Sequence, residues 1–162
     1  MRATLVRLVA VVALGSVGVA AAGSDAKGTV GYKNRSGDYT LTVRHAYVVT
    51  GPAVGDPAST VVRLIFSAED LGGAIQSCAS MMCVDGRISD ALVIDVTDGP
   101  RLTSWLTLNK GRVQYSGPQA ADALAITSDT PTRLAGRLAF DATTAGGPRA
   151  DVTFDAAVIK EF

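Results

Sequence analysis

Tyr39-Thr-Leu-Thr-Val-Arg-His-Ala-Tyr-Val-Val-Thr50 decides the fold class. Its odd positions carry Tyr39, Leu41, Val43, His45, Tyr47 and Val49, and its even positions are mainly Thr40, Thr42, Arg44 and Thr50. A period of two with one apolar face is the pattern of a half-buried antiparallel strand. The same reading extends outward. Thr60-Val-Val-Arg-Leu-Ile-Phe-Ser67 is rich in β-branched residues and reads as a buried strand. Ala91–Thr97, Leu102–Leu108 and Arg112–Ser116 follow, and Asp122–Ser128 is a weaker candidate. Leu134, Gly136, Leu138 and Phe140 share one face, as do Val152, Phe154, Ala156 and Val158. Turn signals stand between these runs: Arg35–Asp38, Asp98-Gly-Pro100, Asn109-Lys-Gly111 and Ala145–Pro148. The expectation is a mainly β protein: an antiparallel two-layer sandwich of about seven to nine strands with one short helix. Residues 23–27 are expected to be a loose start, and 51–59 and 117–121 to be loops.

The helix is expected after Ser67. Ser67-Ala-Glu-Asp70 is like a capping box with Asp70 in place of the usual Glu, and Leu71, Ala74, Ile75 and Cys78 follow at helical spacing. Gly72-Gly73 weakens it by about 1 kcal/mol per glycine relative to alanine. Elsewhere the composition argues against helices. The fifteen acids are thirteen Asp and two Glu, and Asp prefers turns and caps.

The chain begins with Arg2 and Arg7, a wholly apolar run from Leu8 to Leu14, and small residues ending in Ala20-Ala-Ala22. That is the layout of a cleaved export signal over residues 1–22, leaving a domain at 23–162. The apolar run is shorter than the ~20 residues a membrane-spanning helix needs. A periplasmic or secreted location follows, with no span left after cleavage. Without Arg2 and Arg7 the charge is 13 basic against 15 acidic groups, which offers no basic field to nucleic acid.

The chain resembles a family of small exported bacterial β-rich proteins in three segments: His45–Tyr47, Phe66–Leu71, and the closing pair Gly136–Phe140 and Val152–Ala156. The resemblance implies an exported, largely antiparallel domain and carries no catalytic residues.

Ser77-Cys-Ala-Ser-Met-Met-Cys83 holds both cysteines and two of the three methionines. An even pair in an exported chain favours a Cys78–Cys83 disulfide, which would stabilise by roughly 2 kcal/mol by closing a short loop. Five residues of α-helix rise ~7.5 Å, while a disulfide needs Cα atoms within roughly 7 Å, so the helix should break near Ala79–Met82. The rival reading takes Cys78, Met81, Met82, Cys83 and His45 as soft ligands for copper, or the thiols as a redox pair. There is no second histidine and no Cys-x-x-Cys motif. His45 reads as a hydrogen-bonded, partly buried imidazole, because no nucleophile motif accompanies it. The Asp-rich turns at 85–90, 95–98 and 151–155 match no calcium loop. Asp151, Asp155 and Arg149 read as a solvated strand face. Trp105 stands on the Thr103/Thr107 side of its strand, as either a binding aromatic or a second-layer core residue. The terminal Phe162 raises the possibility of an outer-membrane barrel, opposed by the helix, the short strands and the few aromatics.

The sequence therefore favours a non-enzymatic exported domain, with no cofactor, that binds an envelope or extracellular protein, a glycan or another envelope component. The segments 51–59 and 117–121 are the expected working loops.

Overall fold

A computed structural model describes residues 24–53, 56–97 and 101–162. The expected export signal lies outside these residues. Among the described residues nine strands form one hydrogen-bonded sheet in the order β6-β5-β4-β3-β2-β1-β9-β8-β7, with β2 also paired to β9. In chain order they are β1 (Asp25–Asn34), β2 (Gly37–Ala53), β3 (Asp56–Ser67), β4 (Ala91–Val96), β5 (Arg101–Leu108), β6 (Val113–Ala120), β7 (Leu124–Thr130), β8 (Arg133–Asp141) and β9 (Arg149–Glu161). Two short helices, α1 (Gly72–Gln76) and α2 (Met81–Asp85), lie between β3 and β4. The protein is mainly β, as the alternation requires. Its strands run on through hydrogen bonds as a single curled sheet, in place of the two separate sheets expected of a sandwich.

β2 makes the curl. Its first half pairs with β1, and from His45 onward it pairs with β3. β1 stops at Asp25, and the end of β9 takes its place beside β2, with Tyr47 opposite Ala157 and Thr50 opposite Glu161. The β1–β2 register shifts between Asp25 and Gly28, opposite Val43–His45. Here the side-chain phase of β2 changes. Leu41 and Val43 point into the sheet's interior, then Ala46 and Val48 do, while Tyr47 and Val49 face the other way. The single apolar face read across Tyr39–Val49 is therefore divided between two cores, which is what a bulge does to a period of two.

The first core fills the inside of the curl. Leu64 and Phe66 meet Leu92, Ile94, Leu106, Leu138, Val152 and Phe154 there. Phe66 of β3 packs edge-on against Phe154 of β9 at 5.3 Å, and Tyr32 of β1 reaches Tyr115 of β6 at 5.7 Å, so the two halves close on one interior. Each such fully buried large apolar side chain contributes roughly 1.5–3 kcal/mol. The outer face of β8 and β9 carries the ion pairs Arg133–Asp155 and Arg137–Asp151, as read for a solvated face. On β8 and β9 an apolar inside and a charged outside is the reverse of a membrane barrel's pattern. Among the described residues no helix is long and apolar enough to cross a membrane.

Several local expectations are corrected. Asp25–Lys27 belong to β1 rather than to a loose start. Residues 51–53 and 56–59 are strand, so β2 and β3 form a long hairpin instead of ending in a wide loop. Pro52 is tolerated there because β9 no longer flanks β2 beyond Thr50. Gly117–Ala120 are also strand, because β6 is an edge, where Pro118 leaves no ladder partner unsatisfied. Asn109 and Lys110 adopt φ of 53° and 55° and turn β5 into β6; the Lys110 amide is held by Asp90.

Candidate functional site

The outer face of β2, β3 and β4 is apolar and would be exposed without a cover. Tyr47, Val49, Val61, Ile65 and Val93 supply the sheet side of this second core, and Leu71, Ile75, Cys78, Met81 and Val84 supply the helical side. The cap starts later than expected. Ser67 stays in β3, and its hydroxyl accepts from the Glu69 amide. Asp70 then accepts from the Gly72 amide at 2.9 Å, and α1 begins. The expected single helix is two, because the chain must bend between the cysteines. Ser80 caps α2 by accepting from the Cys83 amide. Cys78 and Cys83 stand at disulfide distance with Cα atoms 5.5 Å apart, and the helical break falls at 77–80, two residues earlier than the expected Ala79–Met82.

This cap stops short of β5 and β6. The step between α2 and the uncovered strands is a cleft of about 600 Å³. Cross-strand register explains its chemistry. One row across the outer face runs Val49, Arg63, Asp95, Thr103, and the next runs Tyr47, Ile65, Val93, Trp105, Ser116. Arg63 is 3 % exposed and Asp95 7 %. Arg63 Nε donates to Asp95 Oδ1 at 2.7 Å and Nη2 donates to Oδ2 at 2.8 Å, a bidentate pair. Nη1 donates to Asp85 at the end of α2. Asp85 keeps its side chain 46 % exposed. The Arg63 guanidinium also lies 5.6 Å from the centre of the Trp105 ring.

These charges decide one another's state. Burial works against the Arg63 cation, but the hydrogen bonds and fields of Asp95 and Asp85 outweigh it and raise its pKa. Burial pushes the Asp85 carboxyl up, with Asp95 adding to the push and Arg63 opposing it. Both oxygens of Asp95 are taken by Arg63, so Asp85 is the carboxylate of this cluster that a ligand can reach. Trp105 is half-buried: it packs against the second core, as one of its two readings had it, and its remaining surface lines the cleft. Thr103, Thr107, Gln114 and Ser116 surround it on β5 and β6.

A second polar link fastens the cap. The Tyr47 hydroxyl donates to Asp70 Oδ1 at 2.6 Å and accepts from the Leu71 amide at 3.0 Å. Burial and the Asp70 bond raise the Tyr47 pKa from 10.0 to about 12. That hydrogen bond, with the Gly72 amide, lowers the Asp70 carboxyl.

The soft-ligand residues are dispersed by role. Met81 is buried beneath the cap, where a Cβ on Gly51 would meet its Cγ at 2.9 Å, while Met82 is 73 % exposed. His45 is half-buried and stacks on Tyr47 with ring centres 6.3 Å apart. Among the described residues no three His, Cys, Asp or Glu side chains gather as a metal site. No protein family, curated protein or solved structure matches this chain.

The cleft's ionic centre escaped the sequence reading, although its signal was present. Arg63 interrupts Val61-Val-Arg-Leu-Ile-Phe66 and Asp95 interrupts Leu92-Val-Ile-Asp-Val96. Opposite charges set in two buried runs imply each other, because neither can be buried alone.

Two outcomes follow. Arg63→Met should cost about 3–5 kcal/mol in urea denaturation, because Asp95 is left buried and uncompensated, whereas adding Asp95→Leu should recover most of the loss. Independent, additive costs would show that the two do not interact. Tyr47 contributes to the alkaline limb of the pH dependence. Its folded pKa is raised, so its contribution is full below pH 10 and is lost as pH rises towards about 12. Tyr47→Phe should flatten the fall in denaturation midpoint over that window; a parallel fall in both proteins contradicts the link.

Proposed function

We propose that this protein is an exported binding domain that works without catalysis, in the periplasm or outside the cell, and that its partner in the envelope or extracellular space is held in the cleft between α2 and β5–β6. The arginine-led apolar start of the chain and its likeness to small exported β-rich proteins support export. The cleft is the observation that carries the binding reading. It combines a half-buried aromatic, one accessible carboxylate and a ring of neutral polar side chains, and its size suits a small-molecule or chain-end site, typically ~300–1,000 Å³. The binding surface is thus moved from the loops expected at 51–59 and 117–121 to the open face of β5–β6.

Binding is favoured over hydrolysis because of how the carboxylates are used. A two-carboxylate mechanism needs one group as acid and another as base or nucleophile. Asp95 is committed to Arg63 through both oxygens, which leaves Asp85 without a second free carboxylate in the cluster. His45 lies elsewhere on the outer face, beside Tyr47. The staple reading is favoured over a copper or thiol-redox site, since sulfurs paired in a disulfide supply no thiolate ligands.

A benzophenone amino acid in place of Ser116, on the cleft floor, tests the reading in the source cell. Illumination should give an adduct to the protein's partner, and the same group in place of Thr153, on the far outer face, should not. No adduct from the cleft, or equal adducts from both positions, would overturn it.

A further inference from the structure

We propose that the ligand of this cleft is a saccharide, a neutral or amino-bearing pyranose chain that lays one ring on Trp105 and donates hydroxyl or ammonium hydrogens to Asp85. This rests on the reading of the cleft as a binding site. Four observations narrow the ligand to that class.

The first is the aromatic plate. Trp105 is half-buried in the floor, flanked by Thr103 and Thr107 on its own strand and by Ser116 opposite on β6. A wholly apolar ligand would cover those hydroxyls without pairing them, at a cost of roughly 1–3 kcal/mol for each one left buried and unpaired. A pyranose suits such a floor, since its ring face is lined with C–H groups and its edge with hydroxyls. The second is the acceptor. Asp85 gives one oxygen to Arg63 Nη1 and keeps its side chain 46 % exposed. An ionised carboxylate accepts hydrogen bonds and cannot donate them, so the ligand group facing it must carry hydrogen. The third is charge. Arg63 is matched by Asp95 and Asp85 together, so this cluster carries one net negative charge, with its cation 3 % exposed beneath. Carboxylated, sulfated and phosphorylated ligands are repelled. The fourth is a second acceptor, this one neutral. Gln114 donates its amide nitrogen to the Gly111 carbonyl at 3.3 Å, which leaves its amide oxygen to accept from a ligand hydroxyl.

Asp85 is held in place from two sides. Cys83, two residues earlier on α2, is tied to Cys78, and Arg63 grips the carboxylate from the sheet. Little ordering of the acceptor is then left for the ligand to supply, which favours affinity.

The test is isothermal titration of the oxidised protein with three probes: a glucose trimer, a glucosamine trimer and a galacturonate trimer. Fluorescence of the sole tryptophan gives a second readout. The glucose or glucosamine trimer should bind and perturb Trp105 emission, and the galacturonate trimer should not bind. Asp85→Asn should weaken the glucosamine trimer about tenfold or more, through loss of a charged acceptor. Trp105→Phe, which keeps a ring in the packing, should weaken both sugars while leaving thermal unfolding nearly unchanged. Preference for galacturonate, or sugar binding indifferent to Asp85→Asn, overturns the proposal. If neither neutral nor amino trimer binds but the Ser116 position still gives its adduct, the saccharide inference falls and the binding site stands. If both fail, both readings fall.

Discussion

Arg63 has to be buried, and burial of an arginine is possible only with partners. It sits in the middle of β3, where one face looks into the curled sheet and the other looks at the helical cap. Asp95, its direct neighbour on β4, takes the charge in a two-pronged bond. Asp85 takes a third N–H from the end of α2. The triad therefore joins two central strands to the cap and fixes where the cap ends. Replacing the Arg63–Asp95 pair by apolar residues would cost the sheet little, since buried ion pairs often do no better than hydrophobic isosteres. What an apolar pair could not do is hold a carboxylate at the rim of an open face beside Trp105. The pair's value lies in position, with the stability of the two cores coming from their apolar residues.

The two cores follow from one device. If β2 kept its phase, Tyr47 and Val49 would point inward with Leu41 and Val43, and the outer face above β2–β4 would have nothing apolar for the cap to cover. The register shift opposite Val43–His45 sends Ala46 and Val48 inside and Tyr47 and Val49 out. Tyr47 then meets Asp70 and the Leu71 amide, and the segment after β3 has a fixed start. From there the disulfide-spaced cysteines bend the chain, α2 settles on Val84 and Met81, and Asp85 arrives at Arg63. The cleft is the place where that cover runs out.

Strands that lie half-buried were legible in the sequence. Leu134, Leu138, Val152 and Phe154 alternate with solvated residues and fall in one core as read. The break between Cys78 and Cys83 was legible too, because helical rise and disulfide reach are incompatible. Proline and glycine misled at 51–59 and 117–121, where an edge or an unflanked strand end removes their penalty. The phase change in β2 was hidden, since both of its faces end up apolar and an uninterrupted alternation looks the same. The late start of α1 was hidden for a related reason. Ser67 can cap a turn at Glu69 as readily as a helix, and only the Tyr47 hydroxyl at Asp70 and Leu71 settles which.

The most direct measurement of the account is hydrogen exchange at the Arg63 Nε–H, followed by nitrogen-15 NMR at neutral pH. A guanidinium closed between Asp95 and Asp85 under the cap should keep that proton many-fold longer than the exposed Arg35 keeps its own, and should keep it longer than an Asp95→Asn variant does. Exchange at Arg63 as fast as at Arg35 would mean that the guanidinium is not held in the sheet, and neither the placement of α2 nor the cleft would survive it.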